Sequence, residues 1–374
     1  MYLKTAILIL LLYSFTANST NQIAEKGLAS NLGYYLLLEK NYISSDQQKR
    51  KNSHDINYAR INYKQKNLAL SKNINSNLNI SLEFADQYPK WKDLNIEFTN
   101  YNQRLKIGQF KAPNSFIKLS NLQNLSFSKL PALTEFLPDR KFGINYKLNL
   151  GNFLISAAIQ TQNINHKFML KNPNYQIVRI AHHSNFAPIP NLTLHLATSY
   201  NANKDKNITY KISEINYQKN SLSDLITNNF TNIKQSNLHI IELALIKPKA
   251  ILISEYARNK IAFNQADALN FSGYYFNFKY NLIGQNFSYN QLDKTYNSSK
   301  MKNNLEIAYR KSFINLNKNQ LKFGSYKSDS VALNYHLTAN IKFFLNYTKI
   351  KTDKYAYQAF NSPEILSFNT ELSF

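Results

Sequence analysis

Hydrophobic and polar positions alternate with a period of two along most of the chain, the pattern of strands with one apolar and one polar face. Leu78, Ile80, Leu82 and Phe84 enclose Asn79, Ser81 and Glu83, while Leu94, Ile96 and Phe98 alternate with Asp93, Asn95, Glu97 and Thr99. The same spacing recurs in Phe142 to Leu150, Leu192 to Leu196, Tyr274 to Tyr280, Leu305 to Tyr309, Val331 to Leu337 and Ile341 to Tyr347. Soluble sandwiches alternate too, but these runs reach about nine to eleven residues, enough for a tilted strand to cross hydrocarbon, where soluble strands peak at about five or six. Rings such as Tyr280, Tyr309, Tyr335 and Tyr347 close several apolar series, as in the aromatic girdles of membrane barrels.

The connections alternate as well. Asn149-Leu150-Gly151-Asn152 and Leu282-Ile283-Gly284-Gln285 read as tight turns, whereas 111–141 and 201–235 read as long loops. Short turns on one side and long loops on the other predict an all-β, transmembrane antiparallel barrel of the outer-membrane kind. About 355 mature residues over sixteen strands give roughly 22 each with connection, of which about ten span the membrane. Sixteen strands is therefore the expectation and eighteen the alternative, because 30–75 and 236–258 can be divided in more than one way.

The two ends fit this reading. Lys4, the apolar run Ala6 to Tyr13 and the small residues Ser14, Thr16, Ala17 and Ser19 have the layout of a secretory signal peptide. The expected organisation is a leader over 1–19 and a barrel domain over 20–374, exported to the bacterial outer membrane. The chain closes on Leu366 to Phe374, alternating up to a final ring, which resembles the terminal strand by which outer-membrane barrels are recognised for insertion. No stretch approaches the roughly 18 apolar residues of a membrane helix.

Composition narrows the function. The absence of Cys removes disulfide scaffolds, thiolate metal sites and cysteine nucleophiles. The 45 Lys and Arg against 22 Asp and Glu give +23, a balance that first suggests nucleic acid. The basic residues are spread singly, however, and the densest cluster is Lys49-Arg50-Lys51, so no nucleic-acid partner is expected. The excess of Lys over the seven Arg is also what AT-biased codon usage would produce. If the apolar series faces lipid, the opposite parity places Arg104, Lys106, Lys147, Lys279, Arg310, Lys322 and Lys342 in the lumen, beside Glu83, Glu97 and Glu371. A wall enriched in one sign concentrates counter-ions, which points to small anions, phosphate or chloride, as the permeating partner.

Residues 108–143 carry Gly108, Phe110, Lys111 and Pro113, then a long loop, then Pro138, Arg140 and Gly143. This order resembles the phosphate-selective porin O and P family, in which a Gly-x-Phe-Lys-x-Pro strand end and a Pro-x-Arg-x-x-Gly strand start flank a loop folded into the channel. The resemblance implies a homotrimer of sixteen-stranded barrels whose third loop narrows each pore. It places Lys111, Ser115 and Lys118 at the anion-binding constriction and Arg140 at its exit. The family's phosphate-selective members use a ladder of Arg, and this chain has Arg50, Arg60, Arg104, Arg140, Arg179, Arg258 and Arg310, so Lys would take some rungs as a point charge.

Other classes remain to be compared. His195 and Ser199 share a strand face but stand about 13 Å apart along it at about 3.3 Å per residue, too far for direct proton transfer; His182-His183 is the other candidate. No nucleophile elbow, metal motif or phosphate-cradling Gly loop is present, so neither an enzyme nor a cofactor is expected. A general non-selective porin, or a surface antigen or adhesin binding through loop 201–235, are the competing readings.

Overall fold

In the computed structural model the described residues are 30–45, 48–66, 75–84, 90–120, 124–165, 174–185, 188–212, 226–297, 302–318, 320–355 and 363–373. The leader over 1–19 lies outside them. The chain forms β1 (Ser30–Ser45), β2 (Gln48–Lys66), β3 (Asn75–Phe84), β4 (Lys90–Asn100), β5 (Gln103–Phe110), β6 (Lys141–Leu150), β7 (Phe153–Gln160), β8 (Tyr175–Asn185) and β9 (Thr193–Asn203). A small hairpin, β10 (Ile208–Ile212) and β11 (Ile226–Phe230), precedes β12 (Ile233–Ile246), β13 (Ala250–Phe263) and β14 (Leu269–Ile283). A second hairpin, β15 (Ser288–Asn290) and β16 (Thr295–Asn297), precedes β17 (Asn304–Asn315), β18 (Ser325–His336), β19 (Ile341–Thr352) and β20 (Glu364–Ser373).

Leaving out the two hairpins, sixteen strands pair antiparallel with their neighbours, and β1 pairs with β20 from Tyr35↔Ser373 to Ser44↔Glu364, which closes the barrel. The eighteen-strand alternative is thereby corrected: β10–β11 and β15–β16 are separate two-stranded sheets within connections. The alternation faces the expected way. In β7, Phe153, Ile155 and Ile159 are exposed while Leu154, Ser156, Ala158 and Gln160 are buried; in β14, Tyr274, Phe276, Phe278 and Tyr280 point outward.

One end of the barrel carries the long connections 111–140, 161–174 and 204–232, and with them the outer face. The other carries two- and three-residue turns at 101–102, 151–152 and 247–249. The expected tight turn at 282–285 is a correction. Gly284, at φ +102, is needed because a Cβ there would meet Asn304 Oδ1 at 2.3 Å, and the chain then runs on through β15–β16 to β17. Lys322 is another correction: it is exposed in the connection between β17 and β18 and lines no wall.

The interior is less polar than alternation implies. Inward positions of β12 to β14 include Leu238, Ile240, Ala244, Ile246, Ile251, Ile253, Ala257 and Ile261, all buried. These strands carry apolar residues on both faces, because part of their inner face packs against something apolar inside the barrel.

The glycines of the motif around 108–143 explain themselves in the β5–β6 ladder, where Gly108 and Gly143 are direct partners. A Cβ on Gly108, at φ +124, would lie 2.2 Å from the Leu94 carbonyl oxygen, and one on Gly143 would lie 2.1 Å from that of Ile159. Gly151, at φ +60, has nothing within 4 Å of its Cβ position. Gly108→Ala and Gly143→Ala are expected to cost about 1–3 kcal/mol through overpacking, against about 0.5–1 kcal/mol for Gly151→Ala, which pays only for backbone conformation. Urea unfolding from lipid vesicles followed by tyrosine and tryptophan fluorescence measures both.

Candidate channel constriction

Loop 111–140 supplies the apolar material that the inner face of β12–β14 covers. Pro113, followed by Asn114 and Ser115, ends the extended run of β5, and Ser115 caps a single helical turn, α1 (Phe116–Leu119), its Oγ accepting from the Lys118 backbone N–H. A 3-10 turn follows at Ala132–Phe136. Phe116, Ile117, Leu125, Leu133, Phe136 and Leu137 are buried in one cluster with Leu238, Ile240, Ile251, Ile253, Ala257, Tyr275, Ile314 and Ile350. At roughly 1.5–3 kcal/mol for a fully buried side chain of this size, this packing is what keeps the loop inside the barrel.

Polar groups fix its register. The Glu255 carboxylate on β13 accepts from the Ser115 hydroxyl at 2.9 Å and from the backbone N–H groups of Phe116 and Ile117. From β14 and the strands that follow it round the wall, Lys279 donates to the Asn124 carbonyl at 2.9 Å, Lys342 to the Leu125 carbonyl at 2.5 Å and Arg310 to the Lys129 carbonyl at 2.5 Å. Three residues expected to face the permeating ion thus hold the carbonyls of the loop. Lys279 also lies 3.6 Å from Glu306.

The expected site residues fall into separate groups. Lys111 donates to the Ser120 carbonyl at 3.2 Å and Lys118 to the carbonyls of Leu137 at 3.2 Å and Pro138 at 2.9 Å, both ammonium groups half-buried. Arg140 forms a two-pronged pair with Asp93, Nε to Oδ1 at 2.9 Å and Nη2 to Oδ2 at 3.2 Å. Ser115 is fully buried on Glu255, with no face toward solvent. Lys111, Lys118 and Arg140 lie within electrostatic range of one another and of Arg60 and Lys92, which parity alone did not single out. Burial, and then the Arg140 guanidinium, pull Lys111 down to about 7, against the attraction of Asp93. Asp139 is held at about 2: burial works to raise it, but the charges of Lys118 and Lys92 prevail.

A second group sits at the turn end. Arg104 and Lys147 both reach Asp293, at 2.7 and 3.0 Å, and Lys106 pairs with Glu97 at 2.7 Å. Asp293 belongs to the connection carrying β15–β16, and despite burial the two cations hold its carboxyl well below the usual range. The same connection meets the loop: the Tyr296 ring stacks on Phe116 at 5.8 Å and its hydroxyl donates to the Asn124 carbonyl at 2.5 Å. Tyr289 and His195 Nδ1 share a hydrogen bond at 2.7 Å. Arg179 on β8 binds Glu242 bidentately at 2.9 and 2.7 Å, behind His195. The cluster of rings Phe287, Tyr289 and Tyr296 beside Asp293 is the sequence signal that could have marked this segment.

His195 and Ser199 are not paired with one another. Ser199 donates to the Asn114 carbonyl at 3.1 Å, while His195 is engaged by Tyr289 and Glu242, so the two serve different partners. Among the described residues no group of three or more potential metal ligands comes together.

The sequence pattern of the phosphate-selective porin O and P family matches residues 38–374. No curated protein sequence matches. Among solved structures, the anion-selective porin of Comamonas acidovorans aligns with a TM-score of 0.60 at 9% identity, covering 93% of this chain and 100% of its own. OmpF of Salmonella typhi aligns at 0.60 and 10% identity over 94% and 99% of the two chains. OmpT of Vibrio cholerae in its trimer form gives 0.59 and 9% over 92% and 100%.

Two outcomes test this geometry. Glu255→Ala leaves the Ser115 hydroxyl and two backbone N–H groups without their acceptor, a loss of about 1–3 kcal/mol; loosening of the loop should appear in planar bilayers as larger and noisier single-channel conductance. A lysine with a folded-state value of about 7 is charged below it and neutral above it. Anion preference should therefore fall as pH rises from 6 to 8, and Lys111→Gln should flatten that titration.

Proposed function

The chain belongs to the phosphate-selective porin O and P family and forms an outer-membrane channel, and we propose that it passes small anions by passive diffusion, phosphate among them. The observation that carries this reading is the state of Lys111 and Lys118. Both side chains are partly buried on the inserted loop and bonded to neutral carbonyls, and among the described residues neither has a carboxylate within 4 Å. Other inward cations are largely spent: Arg104 and Lys147 on Asp293, Lys106 on Glu97, Arg140 on Asp93 and Arg179 on Glu242. A hydrated anion entering past the loop therefore meets two ammonium groups able to exchange a carbonyl contact for an anion contact.

Such exchange suits permeation, since binding must be favourable enough to admit the ion and weak enough to release it. Lys supplies charge without the planar fork that holds phosphate bidentately. Arg140, the one arginine of the loop, has its fork filled by Asp93. The reading is accordingly a modest anion preference with weak phosphate binding rather than a tight phosphate trap. A homotrimer is part of the proposal, supported by the family and by the trimeric form of the similar OmpT.

Purified protein in a planar bilayer across a KCl gradient should give a reversal potential of the anion-selective sign. Lys111→Gln with Lys118→Gln should move it toward zero, and millimolar phosphate should reduce chloride current in the wild type. A cation-selective potential would overturn the reading; a variant with unchanged selectivity would move the anion contact away from the loop.

A further inference from the structure

The outer wall carries charge where lipid was expected to exclude it. On β13, Arg258 and Lys260 take the outward parity and are exposed, near the end of the strand that leads to the outer face. The ladders place His239 beside Arg258 and Asn237 beside Lys260 on β12. Tyr200 of β9 lies beside His239, its ring 4.8 Å from the imidazole, and its hydroxyl donates to Asn237 Oδ1 at 2.8 Å. On the other side Asn270 of β14 pairs with Lys260. These six residues line an open concavity of about 510 Å³.

The next row toward the membrane centre is Thr198, Ile241, Tyr256 and Tyr274, an aromatic and aliphatic belt. The outward series of β9, β12, β13 and β14 contains no carboxylate, and among the described residues none lies within 4 Å of Arg258 or Lys260. On β17 to β20 acids accompany part of the outward charge: Asp329 lies between Lys311 and Lys349 in the ladders, and Lys349 pairs with Glu364 at 2.9 Å, while Lys327 and Lys351 face one another. Arg258 and Lys260 thus stand together at one concavity with no carboxylate beside them among the described residues, above a largely apolar row near the outer end of the strands.

We propose that this concavity seats the phosphate of a phosphorylated glycolipid of the outer leaflet, with Arg258 and Lys260 as the charged donors and the acyl chains lying on the belt below. Successive residues of one face stand about 7 Å apart along a strand, so a single phosphate group can lie between the two cations, while the Asn237 and Asn270 amides and the His239 ring can meet a sugar. Arg offers a planar fork and Lys a point charge, the two ways proteins hold phosphate. The proposal rests on outer-membrane placement and is independent of what the channel conducts.

The test uses the full mature chain in non-ionic detergent and fluorescently labelled diphosphoryl lipid A, with the same lipid stripped of its phosphates as reference. The wild type should bind the phosphorylated form at least about tenfold more tightly, a charge-assisted contact's worth. Arg258→Gln with Lys260→Gln should erase that margin while the folded gel mobility and single-channel conductance are unchanged. Lys322→Gln, which removes a charge on the same side away from the wall, should keep it. Equal affinity for the two lipids, an equal loss in Lys322→Gln, displacement by equimolar inorganic phosphate, or a changed oligomeric state in the double variant without loss of lipid binding would each overturn it.

Discussion

A strand in hydrocarbon can leave no backbone N–H or C=O unpaired, because no water is there to satisfy it. Every other feature of this protein follows from how that requirement is met. Sixteen strands give both edges of each to a neighbour, and the last debt is settled where β1 meets β20. Once the backbone is spoken for, the side chains alone distinguish the two faces. That division lets a chain with 18% charged residues present aromatic and aliphatic groups to lipid and still enclose ionised ones.

The same closure creates a space that must be filled or wetted. One arc fills it: much of the inner face of β12 to β14 is apolar where Phe116, Leu133 and Phe136 of the inserted loop press on it. Where the loop's own backbone is carried into the barrel, its groups need partners that the wall must provide. Glu255 answers the N–H groups at one end of the inserted segment, and Lys279, Lys342 and Arg310 answer carbonyls further on. Much of the basic character of the lumen is therefore structural, and the charge available to a permeating ion is smaller than the charge the wall contains.

The barrel was legible because a period of two survives any loop insertion and because lipid punishes a polar residue on the wrong parity. The strand number of sixteen was legible for the same reason, and the ambiguity at 236–258 had a physical origin, since Ile240 and Ile241 are both apolar while one faces a packed loop and the other lipid. The motif around Gly108 and Gly143 located the inserted loop through a steric need, two backbones too close for any Cβ. Pairing was not legible. Arg140 finds Asp93 forty-seven residues away and Arg104 finds Asp293 at 189, separations that no local pattern encodes. Lys322 falls on a strand-like parity in a connection, and Arg258 and Lys260 stand on the lipid-facing parity of β13, where alternation predicts no charge.

Loop 111–140 enters from the outer end and the β15–β16 connection from the other, and they meet where Tyr296 lies on Phe116, 180 residues along the chain. Neither segment has its partners until strands from both halves of the sequence stand side by side. Contacts of such long range are slow to find. The width of the pore is therefore set jointly by two segments far apart in sequence, and a change at either Phe116 or Tyr296 is felt by both.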